Sequence, residues 1–216
     1  MKIIVYNKKK RRKKKLLIWM LAILAVLATI ICIISINSPQ NDAFPTEILG
    51  VPMHTELVDE GHPARPGIER KIKYVVIHET GNFARGADAK SHSTYLAENN
   101  TGTTSWHYTV DETSIYHHIP DTEVAWHAGD SLSKNGGNLC GIGVEICVNK
   151  DGDFKKAFDN AAKLTAYLID AYHLSLSDIR QHADFISKNC PETIRNQNLM
   201  DEFTEKTKEY LQLIKK

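Results

Sequence analysis

Three side chains able to hold a soft divalent cation stand out in the sequence: His78, His182 and Cys190. His78 ends the β-branched apolar run IKYVVIH and is followed by the polar turn Glu79–Thr80–Gly81–Asn82. Loops at the ends of rigid elements are where binding residues collect. His182 and Cys190 form an H-x7-C pair in the polar segment SLSDIRQHADFISKNCPET, and Pro191 stiffens the chain directly after the thiol. A catalytic zinc takes three protein ligands of imidazole, thiolate or carboxylate type and keeps a fourth position for water. Two neutral imidazoles and one thiolate leave the ion a net +1, enough to lower the pKa of water toward neutrality and to polarise a carbonyl. The H-x7-C pair also admits a second chemistry, in which Cys190 is a nucleophile activated by His182.

Metal-assisted hydrolysis further needs a general acid/base and a stabiliser for the developing oxyanion. Glu145 is a single charge inside the apolar run IGVEICV, and a carboxylate is costly to bury without a partner or a task. Lys188, two residues before Cys190, is placed to bring a cation to the same cavity. The chain has ten histidines. His54, His62, His92, His117, His118 and His173 read as surface or packed core groups, because none closes a strand against a polar turn.

These side chains need a scaffold, and the sequence supplies alternating elements. Residues 72–78, 106–110, 114–119 and 142–148 read as strands, the second and third joined through Asp111–Thr113 as a hairpin. Residues 87–99 and 197–214 read as helices. Residues 154–172 carry Phe154, Ala157, Phe158, Ala161, Leu164, Leu168 and Ala171 at helical spacing behind Asp153 as N-cap. The expectation is an α/β domain over residues 54–216, a mixed central sheet flanked by helices. Residues 37–53 read as a Pro-containing linker reaching at most some 55 Å at about 3.3 Å per residue. Cys140 and Cys147 bracket one strand and point to opposite faces, which argues against a disulfide.

The N-terminus adds a location. Residues 1–15 carry nine Lys/Arg and no acid; removing these from the 27 basic residues leaves 18 against 26 acidic ones, a balance of −8. An acidic body argues against nucleic acid as a partner. Residues 16–36, LLIWMLAILAVLATIICIISI, contain no charge, and 21 residues at about 1.5 Å each span roughly 30 Å, the thickness of a bilayer core. The run exceeds a signal-peptide core and no A-x-A site follows, so it reads as one lasting transmembrane helix. The positive-inside rule makes residues 1–15 cytoplasmic and the domain extracytoplasmic, in a single-pass cell membrane protein. Cys32 lies within the span.

The stretches LVDEGHPARPGI, YVVIHETGN, SWHYTVDETSIYHHIP, AWHAGD, IGVEICVNKDGDF and RQHADFISKNCP, from about Leu57 to Thr193, resemble the amidase-2 type N-acetylmuramoyl-L-alanine amidases. These zinc enzymes include phage endolysins and bacterial autolysins and share the fold of peptidoglycan recognition proteins. The resemblance implies one Zn²⁺ held by His78, His182 and Cys190. It implies Glu145 as the group that takes a proton from the attacking water and returns it to the leaving amine, and Lys188 as the stabiliser of the oxyanion. The partner is then peptidoglycan, cut between N-acetylmuramic acid and L-alanine. The catalytic tyrosine of other branches is replaced by Trp106, and Tyr108 falls on the opposite strand face, which moves the weight onto Glu145. Trp126, His127 and His107 are expected to line the substrate cleft, aromatic faces suiting sugar rings. The alternative is a peptidoglycan-binding protein of the same fold that does not cut; such relatives tend to lose a ligand, and here all three are present.

Overall fold

The computed structural model describes Trp19, residues 44–99 and residues 102–216. The basic segment 1–15, the expected membrane span 16–36 (Trp19 apart) and residues 37–43 of the expected linker lie outside the described residues, and among those described no helix is long and apolar enough to cross a membrane.

Seven strands form one mixed sheet: β1 (Glu47–Ile48), β2 (Val51–Thr55), β3 (Tyr74–Glu79), β4 (Tyr108–Val110), β5 (Ile115–His117), β6 (Gly141–Ile146) and β7 (Ile179–Gln181). Their order is β1-β2-β5-β4-β6-β3-β7. β4 and β5 form the expected antiparallel hairpin, whereas β4–β6, β6–β3 and β3–β7 are parallel. Its turn is organised by Asp111, whose Oδ1 accepts from the backbone N–H groups of Thr113 and Ser114 while Oδ2 accepts from that of Ala89.

The sequence dictates the two faces by alternation. In β3, Val75 and Ile77 point one way and Val76 and His78 the other; in β6, Ile142, Val144 and Ile146 oppose Gly141, Gly143 and Glu145. The Val/Ile set joins the main core with α3 (Phe154–Ala171) and α5 (Met200–Ile214), through Ala161, Leu164, Leu168 and Phe203. Phe158 and Phe203 meet edge to face at 5.2 Å, tying the two helices together. Asp153 caps α3 as expected, accepting from the Lys156 N–H. The other face carries the polar set and the shorter helices α1 (Ala89–Thr94) and α2 (Gly137–Cys140).

Three boundaries differ from the sequence reading. Residues 44–53, expected as linker, belong to the folded unit, which begins at Phe44. β1 and β2 form an antiparallel pair there, with Val51 and Met53 buried. The helix expected over 87–99 closes as a π-helical stretch, Tyr95–Asn99. The last helix begins at Met200, preceded by a separate short helix α4 (Glu192–Asn196); Asn198 between them has φ 55°, which breaks the helical path. Cys140 and Cys147 are free thiols, as expected.

Candidate active site

His78 and Glu145 are built into neighbouring strands. β3 and β6 run parallel in a register that sets the two residues opposite each other, on the same face. The His78 Nδ1 lies 3.9 Å from Glu145 Oε1. The third and fourth groups arrive from the segment after β7. His182 opens a single 3-10 turn, and the Ala183 N–H donates to the Cys190 carbonyl, closing the loop that presents the thiol. Glu79 pins that loop from behind: its carboxylate oxygens accept from the N–H groups of Thr193 and Ile194 at the start of α4.

His78, His182 and Cys190 are all buried, and their ligating atoms lie within 4.8 Å of one another; among the described residues they form a three-donor group suited to a metal. The two Nδ1 atoms are 3.0 Å apart, within hydrogen-bond distance, and Cys190 Sγ stands 3.8 Å from His78 Nδ1. Among the described residues, His182 Nε2 and Glu145 Oε2 are buried without a hydrogen-bond partner, the mark of a site built for something other than stability. Two imidazoles and a thiol in this arrangement fit a soft divalent cation.

The electrostatics follow from burial. Desolvation pushes the Glu145 carboxyl up to about 8; the nearby Lys188 ammonium opposes this and the Glu79 carboxylate adds to it. Burial also lowers His78 well below the ordinary imidazole range, and lowers His182 to about 4 with the Lys188 charge helping. The Cys190 thiol is raised to about 11, chiefly by burial, which makes an unassisted thiolate nucleophile unfavourable at neutral pH. Lys188 itself is exposed, and its field reaches Glu145, His78 and His182.

The expected cleft residues separate. Trp126 is half-buried and borders a recess of about 590 Å³ with Gly129, Leu132 and Asn138. His107 and His127 are instead buried in the interior. The Gly143 N–H donates to His107 Nδ1, and His107 Nε2 lies 3.0 Å from the Glu123 carbonyl and 2.8 Å from an Arg70 guanidinium nitrogen, so both ring nitrogens are engaged inside the domain. His127 stands behind His78, its Nδ1 2.9 Å from His78 Nε2. A second hollow of about 260 Å³ starts two residues past His78, lined by Thr80, Asn82, Ser91, His92, Tyr95 and Trp106. His92, read from the sequence as a surface or packed core group, is a buried helix residue on that wall. Sequence reasoning overlooked the Glu79 clamp; a carboxylate at the end of a buried strand was the available signal.

The family profile described as N-acetylmuramoyl-L-alanine amidase (Amidase_2) matches residues 68–193. The chain is 44% identical over 136 residues to the N-acetylmuramoyl-L-alanine amidase XlyA of Bacillus subtilis (strain 168), covering 63% of this chain and 45% of that protein. It is 40% identical over 141 residues to CwlH of the same organism, covering 65% and 56%. The chain thus spans about half the length of the curated relatives it matches. The solved catalytic domain of XlyA superposes with a TM-score of 0.68 at 40% identity, over 73% of this chain and 99% of that one. The structure of PlyL gives 0.66 at 28%, over 73% of this chain and 97% of that one. By this match, which takes in His78, Glu145, His182, Lys188 and Cys190, the chain belongs to the N-acetylmuramoyl-L-alanine amidase family.

Proposed function

We propose that this protein is a zinc-dependent peptidoglycan amidase that hydrolyses the bond between the lactyl group of N-acetylmuramic acid and L-alanine of the stem peptide. The observation that carries the reading is the buried His78–His182–Cys190 group with the Glu145 carboxyl beside it, in a chain of this family. These three residues would hold the zinc. When bound, zinc supplies Lewis acidity, activating water and polarising the scissile carbonyl.

The rest is done by the chain's own side chains. Glu145 accepts the proton of the attacking water at Oε1 or Oε2 and returns it to the alanine nitrogen as the C–N bond breaks. Lifted by burial to about 8 even with Lys188 nearby, the carboxyl is suited to give up a proton, and the cation that the three donors would hold would draw it back toward the form that accepts one. Lys188, at the open edge of the site, offsets negative charge on the carbonyl oxygen. Trp126, at the border of its recess, offers an aromatic face to a sugar ring.

The sequence supports a location as well: the uncharged run 16–36 behind nine basic residues reads as an anchor that places residues 44–216 on the outer side of the cell membrane. External protease added to protoplasts should then remove the domain and spare residues 1–15; protection of the domain would refute the location.

Digestion of purified cell wall by the full chain tests the activity. New L-alanine amino termini without new reducing sugars are expected, and new reducing ends would mean a glycosidase. A binding-only protein would sediment with the wall and release neither; the complete donor set with Glu145 argues for hydrolysis.

A further inference from the structure

His127 was expected to face substrate, yet its ring is buried behind a metal-ligand candidate, and its hydrogen bonds determine more than its own position. His127 Nε2 lies 3.1 Å from the Gly141 carbonyl oxygen. A carbonyl only accepts, so the ring proton of His127 sits on Nε2. His127 Nδ1 is therefore a lone pair, and it faces His78 Nε2 at 2.9 Å. The bond exists only if His78 carries its proton on Nε2 and donates. That leaves His78 Nδ1 bare, and this is the atom turned toward His182 Nδ1 and Cys190 Sγ.

The surroundings are built for this ring. Gly143 passes directly beneath it: a Cβ there would come within 2.7 Å of His127 Cγ, so any side chain displaces the imidazole. The backbone N–H groups of His127 and Ala128 both donate to the buried Asn138 Oδ1, at 2.8 and 2.7 Å, fixing the segment that carries the ring. Ring against ring, His127 meets His78 edge-on with centroids 5.0 Å apart.

We propose that His127 is a positioning residue of the metal centre: by relaying the Gly141 carbonyl to His78 it fixes the tautomer and orientation of that ligand and so sets the affinity for zinc. The proposal rests on the metal-site reading above. Partners that orient a ligating imidazole through its second nitrogen typically matter about 10- to 100-fold in metal affinity.

Two replacements divide the relay. Asparagine at 127 puts an amide oxygen near the place of Nδ1 and keeps an acceptor for His78; glutamine reaches toward the Gly141 carbonyl and gives that acceptor up. Zinc dissociation constants of the full chain, measured by chelator competition, should weaken about 10- to 100-fold for His127→Gln, with most of the affinity recovered in His127→Asn. The cobalt(II)-substituted proteins should show the same order, with altered ligand-field bands in the glutamine variant only. Equal zinc affinity in all three proteins overturns the proposal, as does an equal loss in both variants that tracks a lowered melting temperature of the metal-free protein. Nitrogen-15 NMR of the metal-free wild type reads the tautomers without any substitution: protons on Nε2 of both His78 and His127 are expected, and a proton on His78 Nδ1 refutes the relay. Absence of zinc binding by the wild type would sink the amidase reading itself, and this proposal with it, whereas zinc binding that is indifferent to residue 127 sinks only the proposal.

Discussion

On one face of the central sheet, Val75, Ile77, Ile142, Val144 and Ile146 pack against α3 and α5; on the other, His78, Gly141, Gly143 and Glu145 face buried histidines and unpaired polar atoms. The same two strands supply both faces. The apolar one needs only shape and volume, and similar side chains could replace its members at modest cost. The polar one depends on which nitrogen carries which proton and on glycines that leave room for a ring. The helical face thus holds the strands in register so that the costly face can exist.

Removing the metal should break the comparison most completely. Chelation is expected to take wall hydrolysis to background and added zinc to restore it, followed by release of L-alanine amino termini. Glu145→Gln comes next, with kcat/KM falling about 10²- to 10⁴-fold while zinc content stays that of the wild type. Retained turnover would leave the metal as a mere staple. The apolar face should answer in a different currency: Leu164→Ala is expected to cost about 2–5 kcal/mol in denaturant unfolding, with kcat/KM of the folded protein unchanged.

A gentler probe of the polar face is pH. His118, buried with Nε2 2.8 Å from Thr109 Oγ1, is held well below its ordinary value by desolvation. Its folded pKa lies below the unfolded value of about 6.5, so the unfolded chain binds a proton there that the native state refuses. Stability is therefore full above about 6.5 and falls as pH drops below it. His118→Gln should flatten that decline by up to one proton, read from melting temperatures across pH 5–7.5. The smallest effect belongs to neither face. Lys208 and Glu205 pair at 2.9 Å on the exposed side of α5, and Lys208→Ala should leave the melting temperature where it is.

How much of this was legible in the sequence follows the range of each interaction. Alternation and helical spacing act within a few residues, so the strand before His78, the β4–β5 hairpin and α3 were all readable. The segment 44–53 was misread because Pro45 and Pro52 suggest a linker, and only two buried positions, Val51 and Met53, speak for β2. The metal-ligand trio was legible as residue types joined to a family pattern. The position of His127 was not: its partners are His78, 49 residues away, and the Gly141 carbonyl, and AWHAGD gives no sign of either. Glu79 was hidden for the same reason, its partners lying 114 and 115 residues downstream.

That Glu79 clamp bears on how the protein would acquire its ion. The two hydrogen bonds to α4 and the Ala183–Cys190 backbone bond, all between protein groups, hold the thiol-bearing loop against β3. Loading then resembles an ion docking into a finished receptacle, unlike small zinc modules in which binding and folding are one event. A chain with its thiol loop held this way can complete its fold first and take up its metal afterwards. An ion lost to a competing chelator can be replaced in place, without exposing the domain to proteases through global unfolding.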